Sequence, residues 1–208
     1  MTDTTAEKYD RIADGFSERE YADPGRYARA RADIVVELGP ALPAGASVLD
    51  LGCGDGITAG PLLARGLRYT GVDASEEMVA AARRRHPGVE FVASRSEEYF
   101  PPEPVDMTIA LRSFYYPEDR LAFFTQIAGF TKVKFVFDFR PRTQPAGPIL
   151  ADLRAAGFKG IELRPFFLPQ RRALPGPAIP IVHALERTGP VGLLVARRFG
   201  RAFCCATP

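Results

Sequence analysis

The 208-residue sequence lacks several features that would by themselves assign it to a class of protein. Its three cysteines, an odd number, do not suggest a disulfide framework, and no run of 18 apolar residues could cross a membrane. Residues 1–5 lack the basic and apolar regions of a secretion signal. A net charge of +2 gives no reason to expect nucleic acid as a partner. We therefore expect a cytoplasmic monomer or homodimer that is neither integral to a membrane nor bound to nucleic acid.

Histidine and lysine are also scarce. There are two histidines, and no His, Asp or Glu cluster has the spacing of metal ligands, so we predict metal-independent chemistry. Four lysines stand against 23 arginines. Part of the arginine enrichment is therefore compositional, which weakens the case for any single arginine as a ligand-binding group.

The most informative segment that is present runs Val48-Leu-Asp-Leu-Gly-Cys-Gly-Asp-Gly56. An apolar run that ends in a glycine turn is typical of a buried strand that leads into a helix. A second apolar run ends at Asp73, where a carboxylate can accept hydrogen bonds from ribose hydroxyls. This pair of segments predicts a site for an adenosine-containing ligand.

The details of the turn distinguish two classes of ligand. A dinucleotide site needs G-x-G-x-x-G, but Ile57 occupies the position of the last glycine. Two carboxylates, Asp50 and Asp55, flank the turn and would repel a pyrophosphate. They would instead attract a ligand that carries an ammonium and a sulfonium, such as S-adenosylmethionine (SAM).

At residues 48–56 the sequence resembles the class I SAM-dependent methyltransferases of the small-molecule type, and the resemblance extends loosely over residues 5–207. It implies that Asp50 and the glycines line the methionine half of SAM, that Asp73 holds the ribose and that Met78 packs on the adenine. A tyrosine of the N-terminal helices would close over the cofactor. Arg95 departs from the family pattern, which has an acid there. The candidate cofactor residues are Tyr9, Tyr21, Asp50, Gly52, Cys53, Gly54, Asp73, Ala74, Met78, Ser94, Arg95, Ser96, Leu111 and Arg112.

Two of these residues have equally simple structural explanations. Tyr9 belongs to an apolar stripe with Ile12, Ala13 and Phe16, whose spacing predicts one amphipathic helix. Met78 is also compatible with an ordinary position in the hydrophobic core.

Alternating strands and helices predict an α/β fold. We expect a Rossmann-like, seven-stranded, mostly parallel sheet with helices on both faces and an antiparallel last strand. One methyltransferase domain would span residues 1–208, with N-terminal helices at about 5–38 and a lid-like insertion at about 164–200. Among the individual elements, we predict a helix over Ile57 to Arg65 and a sixth strand over Phe158 to Leu163.

The acceptor site should lie at the carboxyl ends of strands four and five and under the lid-like insertion. The D/N-P-P-Y/F motif of DNA and protein-amide methylases is absent after strand four, which favours a small-molecule acceptor. Arginines suit a carboxylate or phosphate because they bind such groups in a bidentate way. The candidate substrate residues are Arg112, Tyr115, Tyr116, Arg140, Arg171, Arg172 and His183.

A hydroxyl acceptor usually needs a base. We predict His183 as that base, with Tyr116 as the second catalytic candidate and Tyr115 and Asp138 as further alternatives, whereas His86 is interpreted as a surface helix cap. The prediction is methyl transfer from SAM to a small molecule, with oxygen favoured over nitrogen. A lipid or prenylated acceptor, an NAD(P)-dependent oxidoreductase and a non-catalytic SAM-binding subunit stay open as alternatives.

Overall fold

The computed structural model describes residues 5–172 and 174–208, and residues 1–4 and 173 of the predicted domain lie outside the described residues. Seven strands form one sheet in the order β3-β2-β1-β4-β5-β7-β6. Their bounds are β1 Ser47–Leu51, β2 Arg68–Asp73, β3 Glu90–Ala93, β4 Val105–Leu111, β5 Thr131–Phe139, β6 Gly160–Phe166 and β7 Arg201–Thr207. Strands β1 to β5 pair in parallel, and β7 is antiparallel to both of its neighbours. The predicted fold class is confirmed.

Nine helices are described around the sheet. They are α1 Thr5–Asp10, α2 Phe16–Glu20, α3 Pro24–Glu37, α4 Ala59–Leu63, α5 Glu76–Arg85, α6 Arg120–Phe130, α7 Ala146–Ala155, α8 Ala178–Glu186 and α9 Pro190–Phe199. Three of them begin at the carboxylate or hydroxyl caps that the sequence offers: Asp23 accepts from Arg26 N, Ser75 from Met78 N and Asp119 from Ala122 N. No helix in the described ranges is long and apolar enough to cross a membrane.

The sheet order reverses direction next to β1, because the chain crosses from β3 on one side of β1 to β4 on the other. In such sheets the crevice outside the carboxyl ends of the strands at this switch point is the usual ligand site. The fold therefore brings the loops after β1, β2 and β4 to one edge.

Strand β5 shows how the two faces of the sheet differ. Phe135, Phe137 and Phe139 alternate along one face and pack with the apolar sides of α6 and α7. The residues between them point to the opposite face, where Val136 joins the core under α3 and Asp138 is buried. Polar groups from β5 therefore reach the side of the sheet on which α3 lies.

Three predicted elements were wrong in their bounds. The single helix through Tyr9 and Phe16 is two short helices, because Gly15 adopts a left-handed conformation with φ 59° and Ile12 and Ala13 lie in the turn. Helix α4 covers 59–63 of the predicted 57–65. Strand β6 extends through Pro165 to Phe166, which is possible because β6 is an edge strand that needs no amide donor on its outer side.

Lys134 of β5 also points to the α3 face and is fully buried. Its ammonium donates to the carbonyls of Val36 and Leu38, at 2.8 Å each, and so satisfies the C-terminal end of α3. Burial lowers the pKa of this lysine. The contact joins α3, which carries part of the candidate site, to the centre of the sheet.

We predict that Lys134→Met lowers the free energy of unfolding by about 1–3 kcal/mol, because it leaves two buried carbonyls without a donor. Urea denaturation measures the loss. The matched control is Lys132→Met on the same strand, since the Lys132 side chain is 51% exposed and pairs with Asp106 at the surface. Its cost should be about 0–1 kcal/mol. Equal losses in the two variants would contradict the assigned role of Lys134.

Candidate active site

A cavity of about 520 Å³ lies at the carboxyl ends of β1, β2 and β4 and is covered by α1 and α2. The structure brings to its wall all but one of the residues that the sequence suggested for a cofactor; Ser94 is the exception. The cavity is lined by Ala6, Tyr9, Phe16, Tyr21, Arg31, Asp50, Gly52, Cys53, Gly54, Asp55, Ile57, Thr58, Asp73, Ala74, Met78, Arg95, Ser96, Glu97, Leu111, Arg112, Ser113, Tyr116 and Glu118.

The glycines of the loop after β1 have different physical roles. A Cβ on Gly52 would lie 2.3 Å from the Cβ of Ser113, and one on Gly56 would crowd Ala82 and Phe91, so these two glycines serve internal packing. Gly54 has φ 57° and no heavy atom within 4 Å of a built Cβ. Only Gly54 of the three therefore keeps the backbone open toward the space a ligand would occupy.

Asp73 holds the loop and keeps part of its hydrogen-bonding capacity. Its Oδ2 accepts from Gly54 N at 2.8 Å and its Oδ1 accepts from Ser75 N at 3.0 Å. Burial raises the pKa of this carboxyl despite these bonds. A carboxylate offers about four lone-pair positions, so part of its capacity stays available for ligand hydroxyl groups.

Asp50 and Arg31 place two incompletely satisfied charged groups in the same cavity. Tyr69 donates to Asp50 Oδ2 at 2.7 Å, whereas Asp50 Oδ1 is buried and has no hydrogen-bond partner among the described residues. Burial raises the pKa of Asp50 to about 6, against the lowering influence of Tyr69 and Arg31. Arg31 is 3% exposed, and its Nε likewise lacks a partner in the described chain.

Such a pair matches the two charges of an α-amino acid group. An ammonium would satisfy the Asp50 oxygen, and a carboxylate would satisfy the Arg31 nitrogen. The sequence interpretation missed Arg31. Its spacing in the sequence could have indicated it. Arg31 lies four residues after Tyr27 and four before Val35, so it shares a helix face with two residues that are buried on α3.

Asp55 does not act as the loop sequence suggested. It accepts from Ser17 N at 3.2 Å and from Ser17 Oγ at 2.7 Å, and it pairs with Arg85 at 2.9 Å. Its charge is thus matched within the protein, and its contacts fasten α2 to the glycine loop. Selection against a pyrophosphate at this turn therefore depends on Asp50 rather than on both carboxylates.

Tyr9 and Tyr116 close the cavity from opposite sides. Their hydroxyl oxygens lie 2.5 Å apart, which joins α1 to the loop after β4. Burial, together with the bond to Tyr9, raises the pKa of Tyr116. Tyr116 therefore stays protonated near neutral pH and is suited to orient a ligand rather than to remove a proton.

Arg112 stands at the end of β4 in a left-handed backbone conformation with φ 64°. Its amide donates to Asp138 Oδ1 at 2.7 Å, and its guanidinium donates to the Tyr21 hydroxyl at 3.0 Å. Burial raises the pKa of Asp138, but the guanidinium groups of Arg201 and Arg31 outweigh it and hold that pKa below its usual value. Asp138 is therefore a fixed anion that positions Arg112 and not a candidate base.

The remaining predicted residues lie away from this wall. His183 was expected near the acceptor, but it lies on α8 in a second groove, against α3, with Nδ1 3.0 Å from Glu186 Oε2. That placement does not support it as the base. Ser94 donates its amide to Asp73 O, beside the cavity. Arg140, Arg171, Arg172 and Tyr115 are exposed and do not line the cavity, and Arg171 pairs with Glu20.

His86 is less exposed than its interpretation as a surface cap implied. Its Nε2 lies 2.9 Å from Gly56 O, beneath the glycine loop, and burial lowers its pKa. Neither histidine therefore lines the cavity in the described part of the chain. Within residues 5–172 and 174–208, no three His, Cys, Asp or Glu side chains cluster to hold a metal ion.

Comparison with known proteins finds a likeness to methyltransferases over part of the chain. A family model described as "Methyltransferase domain" matches residues 48–134. The trans-aconitate 2-methyltransferase of Rhizobium rhizogenes is 35% identical over 38% of this chain and 32% of its own length. The ubiquinone biosynthesis O-methyltransferase of Bradyrhizobium diazoefficiens is 32% identical over 42% of this chain and 36% of its own length. The chain thus covers about a third of the length of each of these relatives.

Solved structures share the fold over nearly the whole chain. The magnesium protoporphyrin IX methyltransferase of Synechocystis, solved with bound SAM, superposes with a TM-score of 0.57 at 17% identity and covers 100% of this chain and 86% of its own. The cyclase SpnF superposes with a TM-score of 0.69 at 20% identity and covers 97% of this chain and 94% of its own. Since the second is named as a cyclase, this likeness establishes the fold alone.

The raised pKa of Asp50 predicts that the free energy of unfolding depends on pH. A carboxyl whose pKa is raised from 3.8 to about 6 on folding destabilises the folded protein as pH rises through that interval, since the folded state must release a proton it prefers to keep. We predict that Asp50→Asn raises the free energy of unfolding by about 1–3 kcal/mol at pH 7.5. The gain should disappear near pH 4. Urea titrations across this range measure it, and a variant less stable than wild type at pH 7.5 would show that Arg31 already compensates the carboxylate.

Proposed function

We propose that this chain is a class I SAM-dependent methyltransferase and that it methylates an oxygen atom of a small carboxylic acid. The observation that carries the cofactor assignment is the pair of unpartnered charged atoms, Asp50 Oδ1 and Arg31 Nε, in the cavity beside Asp73. A ligand with a ribose and an α-amino acid group at its two ends fits that arrangement, and SAM is such a ligand. A nicotinamide dinucleotide, which has no ammonium to offer Asp50, fits it less well.

We assign the cofactor contacts from this geometry. Asp73 would accept from the ribose hydroxyls through its free lone pairs, and Asp50 and Arg31 would hold the ammonium and carboxylate of the methionine part. Met78, buried on α5, and the backbone around Ser96 would bound the adenine. When bound, SAM supplies a methyl group on a positively charged sulfur that a nucleophile can displace.

The acceptor would lie between Arg112 and Tyr116, at the carboxyl end of β4. Arg112 brings a positive charge to the cavity wall and is held in place by Tyr21 and Asp138. A carboxylate would pair with it, and a carboxylate oxygen is already ionised at neutral pH, so no base is required. Positioning of the two reactants then supplies the acceleration.

The absence of an imidazole from the cavity wall, as far as the described residues go, supports an ionised acceptor over a neutral hydroxyl. Neither histidine lines the cavity in the described ranges, Asp138 is paired with Arg201, and the pKa of Tyr116 is raised by burial. The two relatives are named for trans-aconitate methylation and for O-methylation, which supports oxygen over nitrogen. We further propose that residues 5–208 act as one methyltransferase domain, with α1 and α2 as its cover.

The first test concerns Arg31. We predict that Arg31→Gln weakens binding of S-adenosylhomocysteine by about 10- to 100-fold, because a charge-assisted hydrogen bond of about 1.5–3 kcal/mol is lost. Isothermal titration calorimetry measures the affinity. Arg29→Gln on the exposed side of the same helix is the matched control and should leave it unchanged. Unaltered affinity in Arg31→Gln would reject the assigned carboxylate contact.

The second test concerns Arg112 and the acceptor. A panel of small di- and tricarboxylic acids, phenols and amines is assayed for methyl transfer from SAM, and acids should be the substrates. Arg112→Gln should then raise the KM for the acceptor about 10-fold or more. Its affinity for S-adenosylhomocysteine should stay within about twofold of the wild-type value. Arg140→Gln, an exposed arginine at the end of β5, is the control.

The pH profile separates the two kinds of acceptor. With a carboxylic acid and saturating SAM, turnover should stay flat from about pH 6 to 8, since no imidazole must lose a proton. Methyl transfer to amines or phenols and not to acids would contradict the proposal. So would a turnover that decreases below about pH 6.5 in wild type and is lost in the His183→Asn variant.

A further inference from the structure

Helices α8 and α9, joined by a short turn and packed on β6 and β7, carry apolar side chains away from the cavity. Five of these side chains are exposed: Ile181 (64%), Leu185 (39%), Val191 (62%), Leu194 (66%) and Val195 (37%). We call these five residues the hairpin face. Exposed apolar residues scattered singly are ordinary, but a group within 15 residues of sequence marks an interaction site.

The spacing of the hairpin face follows the helix period. Val191, Leu194 and Val195 stand at i, i+3 and i+4 of α9, and the buried residues Gly192 and Ala196 lie on its other side. In α8, Ile181 and Leu185 are one turn apart. The two helices touch beside the turn that joins them, where a Cβ on Gly192 would lie 2.7 Å from the carbonyl oxygen of Leu185. Each helix therefore packs on the protein by one side and presents apolar groups on the other.

The exposed charges that α8, α9 and the turn between them carry are mostly positive. Residues 178–199 have three arginines and one acidic side chain, Glu186, and the acids Asp33 and Glu37 of α3 border the groove beside Arg187. Glu186 is 4% exposed and accepts from Phe167 N and from His183, so it contributes nothing to the outer surface. Arg187, between the helices, and Arg197, in the last turn of α9, are exposed.

We propose that the hairpin face docks on the surface of an anionic lipid bilayer. Short helices with apolar side chains on one side and arginines nearby bind in the plane of the membrane interface, where acyl chains cover the apolar groups and lipid phosphates pair with the guanidinium groups. The charge pattern favours this occupant over a second copy of the chain. A two-fold interface through the same face would bring the arginines of the two copies close together. This inference does not depend on the acceptor proposed above.

The test is flotation of the full chain with vesicles. The protein should bind phosphatidylcholine vesicles containing about 30% phosphatidylglycerol and should not bind phosphatidylcholine alone. The double variant V191S/L194S should lower the partition coefficient at least about 10-fold, because two apolar side chains that the bilayer would cover are lost. Leu121→Ser, at a position that is 40% exposed on α6, should leave it unchanged.

A second experiment tests how much the arginines contribute to vesicle binding. Arg187→Gln combined with Arg197→Gln should weaken binding about 10-fold or more, and so should a rise from 50 to about 500 mM salt. Unchanged affinity for S-adenosylhomocysteine shows that each variant is folded. Absence of binding to anionic vesicles, or binding that V191S/L194S leaves intact, would overturn the proposal. A dimer in sedimentation that V191S/L194S dissociates, without vesicle binding, would overturn it by assigning the face to a second copy.

Discussion

The buried carboxylate of Asp50 sets the main constraint on this molecule. It stands at the end of a central strand, next to the switch point of the sheet, and a buried charge without full hydrogen bonding is costly. Tyr69 satisfies one oxygen, and Arg31 lowers the cost through its charge without a direct bond in the described structure. The protein thus maintains an unfavourable arrangement that a ligand with an ammonium and a carboxylate would relieve. This is the physical reason for assigning the cavity to SAM.

Other carboxylates build the walls of the same cavity from segments far apart in sequence. Asp55 ties Ser17 of α2 to the glycine loop, and Asp10 accepts from Ser75 Oγ at 2.6 Å, which ties the end of α1 to the start of α5. Asp73 fixes Gly54, and Asp138 fixes the amide of Arg112. The N-terminal cover is therefore held in part by hydrogen bonds to the loops that shape the site.

Local patterns predicted the elements that are determined locally. The run at 48–56, the acid at Asp73 and the cap at Ser75 each carry their own turn or cap chemistry, so strands, loop and helix start were placed correctly. The break at Gly15 and the extension of β6 through Pro165 depend on tertiary context: a turn in the cover and an edge position in the sheet. His183 and Arg31 show the same limit. Both lie on amphipathic helices, and only the packing of α8 and α3 decides which one reaches the cavity.

The most direct test of the central claim varies the ligand instead of the protein. Calorimetry should compare S-adenosylhomocysteine with 5′-methylthioadenosine, which keeps the adenosine and lacks the amino acid group. If Asp50 and Arg31 hold that group, wild type should bind S-adenosylhomocysteine at least about 100-fold more tightly, and the preference should fall to within about threefold in the double variant D50N/R31Q. Equal affinities in wild type, or a preference that survives in D50N/R31Q, would contradict the account.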